Sequence, residues 1–175
     1  MSKDSSAELL IVADAGPLIG LARVGLLDLL RQLYAKVVIP SQVLEELQTS
    51  KERPGSRALL GAVEEGWLEA TSLARSEGLE LLSLALGLGE AAAILLAGER
   101  PCRFLLLDER RGRRVATNRG LRVVGTGGIL VAAKKQGLLA RVSDVLDQLA
   151  KGGYRLSPEL RKQILLLADE GEDVE

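Results

Sequence analysis

The chain has 175 residues, which is enough for one domain with a sizeable core, and 47% of them are hydrophobic although only 2% are aromatic. It contains no histidine and a single cysteine, Cys102. These absences exclude histidine-dependent catalysis, His-ligated zinc, Cys-only metal sites and an intrachain disulfide.

The charge is balanced overall but unevenly distributed along the chain. Five acids and no base occupy the last seven residues, which leaves the first 168 residues with 23 bases and 19 acids. We expect this acidic tail, residues 169–175, to be disordered, and the alternative is that it folds over the basic surface of the domain. Six arginines fall between positions 110 and 122, a concentration of positive charge that attracts phosphates.

No stretch of the sequence has the character of an export signal or a membrane span. The most apolar stretch, residues 81–98, is interrupted by Gly87, Gly89 and Glu90. Together with the near-absence of cysteine, this predicts a cytoplasmic protein that does not associate with membranes.

Five short aliphatic runs predict β-strands, and the apolar residues between them have helical spacing. Strands and helices that alternate in this way indicate an α/β fold with a mostly parallel sheet. Several of the runs are continuously apolar, which is typical of strands covered on both faces. The predicted strands span residues 9–13, 36–39, 68–73, 104–107 and 122–124.

Two further helices are predicted beyond the last strand, over residues 141–150 and 157–168. We therefore expect a domain over residues 1–140 with a helical extension over residues 141–168. The apolar faces of these helices could pack on the sheet, form a homodimer or receive a partner protein, and the sequence does not choose among these.

Acidic residues follow the predicted strands at four places. Asp14 comes directly after the first strand, Glu46 lies in the helix after the second, and Glu90 opens the helix before the fourth. Asp108 and Glu109 directly follow the fourth strand. Because ligands bind at the carboxyl ends of the strands in an open parallel sheet, we expect these acids to converge.

Three of these acids also have a purely structural interpretation. Asp14 can cap a helix, Glu90 can stabilise a helix N-terminus, and Asp108 can pair with the arginines that follow it. Converging carboxylates, however, repel one another unless a cation lies among them. Oxygen ligands favour Mg²⁺ or Mn²⁺, which supports phosphodiester hydrolysis without histidine.

Five short motifs occur in order along the chain: VADAGPLI at 12–19, VIPSQVLEEL at 38–47, GEAAA at 89–93, LLDE at 106–109 with RRVA at 113–116, and GTGG at 125–128. With these motifs the chain resembles the PIN-domain family. It is most similar to a branch related to the toxins of VapBC-type toxin–antitoxin pairs.

The resemblance implies a three-layer α/β/α fold with a five-stranded sheet and a Mg²⁺- or Mn²⁺-dependent endoribonuclease whose products carry a 5′-phosphate and a 3′-hydroxyl. It further implies a cognate antitoxin and a homodimer. The residues that it assigns to catalysis and metal binding are Asp14, Glu46, Glu90, Asp108 and Glu109. The family usually has two adjacent aspartates at 108–109, and both residues are retained because the spacing to Val115 and Ala116 favours Glu109 whereas the position directly after the strand favours Asp108.

One departure from the family concerns Gly16, which stands where the family often has serine. The missing hydroxyl leaves Thr126 as a candidate catalytic group, with a helix N-cap as its structural alternative. A catalytically weak PIN-like module that binds RNA or protein is therefore the alternative function.

The arginines after the fourth strand are candidate RNA ligands. A helix that starts beside the acids would place Arg110, Arg113 and Arg114 where they neutralise backbone phosphates. The alternative is a solvated helix face paired with acids. Arg113 is the best match to the arginine of the family.

Overall fold

Five parallel strands form the centre of the computed structural model, which describes residues 9–171. Their spatial order is β3-β2-β1-β4-β5, and every neighbouring pair is parallel. All five predicted strands are confirmed, with ends shifted by one or two residues. The strands are β1 Leu10–Ala13, β2 Val37–Pro40, β3 Leu68–Thr71, β4 Cys102–Leu106 and β5 Val123–Val124.

Helices occupy most of the remaining described chain, and none of them is long and apolar enough to cross a membrane. The apolar pattern did not reveal α4, since Leu59 and Ala62 are its only buried hydrophobic residues. The helices are α1 Ala15–Arg23, α2 Asp28–Tyr34, α3 Ser41–Thr49, α4 Ser56–Glu64, α5 Leu79–Ala85, α6 Leu88–Glu99, α7 Arg110–Asn118, α8 Thr126–Lys135, α9 Val142–Lys151 and α10 Pro158–Leu167.

The sheet is covered on both faces, because alternate side chains of β1, β2, β4 and β5 enter two separate cores. In β1, Ile11 and Ala13 join one core and Val12 joins the other. The first core includes side chains of α1–α4 and α8–α10, and the second includes side chains of α5–α7. The predicted three-layer α/β/α fold is therefore confirmed.

The C-terminal helices α9 and α10 pack against α8 rather than standing apart. Val142, Leu146 and Leu149 of α9 are buried in the first core. Ile164 of α10 lies so close to Gly127 of α8 that a Cβ on this glycine would overlap it. The sequence left open whether the apolar faces of these helices pack on the domain, form a homodimer or bind a partner. In the described residues, they pack on the domain itself.

Glu170 lies in the folded part of the protein. Its Oε1 accepts hydrogen bonds from Lys134 Nζ and Val142 N, each at 2.6 Å, and its Oε2 accepts one from Ser143 N at 2.9 Å. Burial opposes ionisation, but these hydrogen bonds lower the pKa of Glu170 to about 2. Glu170 is therefore held in the fold, whereas the last four residues of the predicted tail lie outside the described residues.

Candidate active site

Asp14 and Asp108 lie at the point where the sheet reverses its strand order. The chain proceeds from β1 through β2 to β3 on one side, and from β4 to β5 on the other. The backbone N–H of Asp14 donates to the carbonyl of Leu106 at 3.1 Å, so the pairing of β1 with β4 extends to Asp14 itself. Such a switch point is where open parallel sheets bind ligands.

Asp14, Glu46 and Glu90 line one pocket, which we call the acidic pocket. Gly89, the residue before Glu90, lies between the first two acids. A Cβ on Gly89 would be 3.4 Å from Glu46 Oε2 and 3.7 Å from Asp14 Oδ1. Both carboxylates therefore lie close to the backbone at the start of α6.

Asp14 also caps α1, as its structural interpretation predicted. Its Oδ2 accepts a hydrogen bond from Gly16 N at 3.3 Å. Oδ1 is the oxygen on the side of Gly89. The cap therefore fixes the carboxylate while one oxygen still faces the acidic pocket.

Glu90 lies in the first turn of α6 and approaches α7. Its Oε1 is buried and has no hydrogen-bond partner among residues 9–171. A Cβ on Gly112 of α7 would overlap this oxygen, so a side chain there would require the Glu90 carboxylate to move. A buried oxygen without a partner is costly unless something else binds it.

Asp108 is fixed by the first residue of α8. Its Oδ1 accepts from Thr126 N and its Oδ2 accepts from Thr126 Oγ1, both at 2.7 Å. Thr126 is fully buried and Gly125 precedes the helix, so the interpretation of Thr126 as the N-cap is wrong. The carboxylate of Asp108 caps α8 from the segment that follows β4, and the hydroxyl of Thr126 donates to that carboxylate.

Asp108 and Glu109 line a neighbouring pocket of about 750 Å³, which we call the arginine pocket. Arg110 and Arg113 of α7 are among its lining residues, whereas Arg114 is exposed and lines neither pocket. Of the three arginines proposed to bind RNA, the structure thus brings two to the acids.

Mutual repulsion links the acids of the two pockets. Burial raises the pKa of Asp14, the backbone N–H groups of Ala15 and Gly16 oppose this, and the charges of Glu46 and Asp108 raise it further. Burial also raises the pKa of Glu90, and the charges of Asp14 and Glu109 add to the effect. The acids from all four segments therefore form one electrostatic cluster.

A family model described as PIN domain matches residues 10–170. The chain belongs to the PIN-domain family. PIN domains are generally nucleases, and the acids described above lie within the matched residues. No significant match was found among curated proteins or solved structures.

The side chains of this PIN domain fit a divalent cation in their chemistry. Within residues 9–171, no group of three or more histidine, cysteine, aspartate or glutamate side chains is placed to hold a metal ion. The five acids nevertheless offer only oxygen donors, they repel one another, and Glu90 Oε1 lacks a partner. These are the properties expected of a site that a hard cation completes.

Several residues of the site were missed by sequence reasoning. Gly112 interrupts an arginine-rich helical segment, and an isolated glycine in a helix is a signal of close approach by another group. Tyr154 and Arg155 come from the segment between α9 and α10 and line the arginine pocket. Nothing in their local sequence indicates this position. Arg53 pairs with Glu46 at 3.4 Å and was also missed.

Proposed function

We propose that this PIN domain is a Mg²⁺- or Mn²⁺-dependent endoribonuclease that hydrolyses phosphodiester bonds of RNA. We base the proposal on one observation, that acids from four separate segments line two neighbouring pockets beside the switch point of the sheet. A buried oxygen of Glu90 without a partner lies in the same place. Neighbouring carboxylates of this kind are costly for folding and are explained by a cation that they hold together.

We assign the metal to Asp14, Glu46, Glu90 and Asp108, with Glu109 beside them. A divalent ion bound there would lower the pKa of a coordinated water and stabilise the charge that develops on the phosphoryl group. The hydrogen bond from Gly16 N orients Asp14, and the two hydrogen bonds from Thr126 orient Asp108. Thr126 is thus a positioning residue.

Arg110 and Arg113 are assigned to the RNA backbone. Both line the pocket that contains Asp108, so phosphates next to the cleaved bond would meet them. Arg113 is anchored by a hydrogen bond of 2.7 Å from its Nη1 to the carbonyl of Leu107. The products are expected to carry a 5′-phosphate and a 3′-hydroxyl.

The alternative function is a catalytically weak module that binds RNA or protein. Gly16 favours this alternative, because it offers a backbone N–H to Asp14 but no hydroxyl at the position where the family often has serine. In addition, the buried Thr126 hydroxyl donates to Asp108 and so does not replace the serine directly. A protein of this kind would bind RNA without cutting it.

We further propose that the protein acts in the cytoplasm as a toxin, that it has a cognate antitoxin and that it forms a homodimer. The resemblance to the toxin branch supports these proposals. The dimer is tested by light scattering of the purified protein, and the toxin role by induced expression in a bacterial host. Arrested growth with the natural chain and normal growth with Asp14→Asn would support toxicity through the site.

The nuclease proposal is tested by incubating 5′-labelled single-stranded RNA with the protein and Mn²⁺. Cleavage should disappear with EDTA and with Asp14→Asn, and it should persist with Glu64→Gln. Glu64 is an exposed acid at the end of α4 and serves as the matched control. RNA that is bound but stays intact under all conditions would support the binding module instead.

A further inference from the structure

We propose that Arg155, from the segment between α9 and α10, is a further ligand of the RNA backbone phosphate that the arginine pocket binds. The pocket lies between the start of α7 and the segment that joins α9 to α10. This inference rests on the proposed function, since it specifies how the same site takes hold of its substrate.

The arginine pocket begins directly at the acids. A Cβ on Gly125 would lie 2.9 Å from Asp108 Oδ1 and 3.0 Å from Arg113 Nη1. The carboxylate of Asp108 and the guanidinium of Arg113 therefore both lie next to Gly125. If the phosphodiester bond to be cleaved lies at the acids, the next phosphate of the same RNA strand would lie in the arginine pocket.

The charges of the two pockets favour an RNA strand that runs from the acids into the arginine pocket. Every charged residue that lines the acidic pocket is an acid. The arginine pocket offers three guanidinium groups against two carboxylates. Phosphates adjacent to the cleaved one are repelled on the acidic side and attracted on the other. The arginines of the pocket are Arg110, Arg113 and Arg155.

Two of these guanidinium groups are available to a ligand. Arg110 and Arg155 are exposed, and neither forms an ion pair with an acid of residues 9–171. Arg113 uses one donor on the carbonyl of Leu107 and has others left. Planar guanidinium groups are well suited to phosphate oxygens.

The shape of the pocket also suits a nucleotide unit. Its volume of about 750 Å³ lies within the ~300–1,000 Å³ of ordinary ligand pockets. Gly125 and Gly128 leave the wall formed by the start of α8 free of side chains. Tyr154 also lines the pocket, and its hydroxyl lies near Asp108 and Thr126.

Arg155 stands on a segment that the fold holds in place. Tyr154 N donates to the carbonyl of Leu149 at 2.9 Å, which ties the segment to the end of α9. Ser157 accepts a hydrogen bond from Leu160 N at 3.2 Å, which fixes the start of α10. The C-terminal extension thereby presents Arg155 from a fixed backbone, and this reduces the entropy lost on binding.

The test is the binding of a fluorescently labelled 12-nucleotide single-stranded RNA, measured by anisotropy in EDTA over a series of salt concentrations. Arg155→Gln is compared with Arg119→Gln, an exposed arginine at the other end of α7. We expect Arg155→Gln to weaken binding about three- to fivefold. Its slope of log affinity against log salt should fall by about 0.7, the value for one phosphate contact on a single strand. Arg119→Gln should change neither quantity.

Equal affinities and slopes for the Arg155 and Arg119 variants would overturn the subsite. Circular dichroism and thermal melting of both variants verify that they are folded, and Arg155→Lys should recover part of the binding. If Mn²⁺ gives cleavage while the two variants bind alike, the subsite fails and the nuclease stands. If no cleavage occurs but binding depends on Arg155, the nuclease fails and the subsite stands.

Discussion

Three glycines determine how closely the acids of the site approach their surroundings. A Cβ on Gly89 would contact the carboxylates of Asp14 and Glu46, and one on Gly125 would contact Asp108. At Gly112 a Cβ would overlap Glu90 Oε1. Since glycine costs a helix up to about 1 kcal/mol relative to alanine, Gly112 inside α7 is explained by the space that Glu90 requires.

The first prediction concerns Gly112→Ala. The new methyl group would displace Glu90, and we expect metal-dependent RNA cleavage to fall by about 10- to 100-fold because the reacting groups are misplaced. The matched control is Gly98→Ala in α6, where a Cβ would have no neighbour within 4 Å. Gly98→Ala should leave cleavage unchanged and stabilise the helix by up to about 1 kcal/mol. Full cleavage by the Gly112 variant would refute the role of Gly112 in placing Glu90.

The second prediction concerns Glu170, whose pKa of about 2 lies below its ordinary value of 4.5. A lowered pKa of an acid means that its ionised form stabilises the fold at every pH above 4.5. That contribution is lost as the pH falls from 4.5 towards 2. Glu170→Gln should therefore lower the free energy of unfolding at pH 7 by about 1–2 kcal/mol.

The measurement is urea unfolding of both proteins over a range of pH. The difference between the natural chain and Glu170→Gln should be constant above about pH 5 and should shrink below pH 4.5. Glu64→Gln, at an exposed acid, is the control and should follow the natural chain at each pH. A difference that grows on acidification would have the wrong sign for the proposed contact.

At the scale of elements, α8 connects the site with the C-terminal extension. Its first residue, Thr126, holds Asp108, and the next residue, Gly127, receives Ile164 of α10. The packing of α10 therefore supports the helix start that orients an acid of the site. The extension is also the source of Tyr154 and Arg155 in the arginine pocket.

The third prediction follows from this contact. Ile164 is buried, so Ile164→Ala should lower the free energy of unfolding by about 2–4 kcal/mol through the lost apolar contacts and the cavity left behind. Leu167→Ala on the same helix removes a side chain that is 60% exposed and should change stability by less than about 0.5 kcal/mol. Equal effects in urea unfolding would show that α10 is not anchored through Ile164.

The strands and most helices were predictable because apolar runs, prolines and glycines mark them locally. The run around Val12 is apolar on both faces, as a central parallel strand requires, and Ser157 signals the start of α10 that the structure confirms. By contrast, α4 was missed because little of it is buried. Its apolar residues are too few to predict a helix, and its position depends on tertiary contacts that the local sequence does not reveal.

The positions of the acids could be predicted at the scale of the sheet but not at the scale of atoms. The order of strands and acids along the chain was sufficient to place Asp14 and Asp108 at one edge. The hydrogen bonds of Thr126 to Asp108 join residues 18 positions apart, and the placement of Tyr154 depends on how α9 packs. No local pattern in the sequence encodes such contacts.

For the molecule as a whole, we propose that these carboxylates together hold a divalent ion. Calorimetric titration of Mn²⁺ into the metal-free protein, into Glu90→Gln and into the control Glu64→Gln tests this. We expect the natural chain and the control to bind Mn²⁺ alike and Glu90→Gln to bind it about 10- to 100-fold more weakly. Undiminished Mn²⁺ binding by Glu90→Gln, or no binding by the natural chain, would refute the metal site.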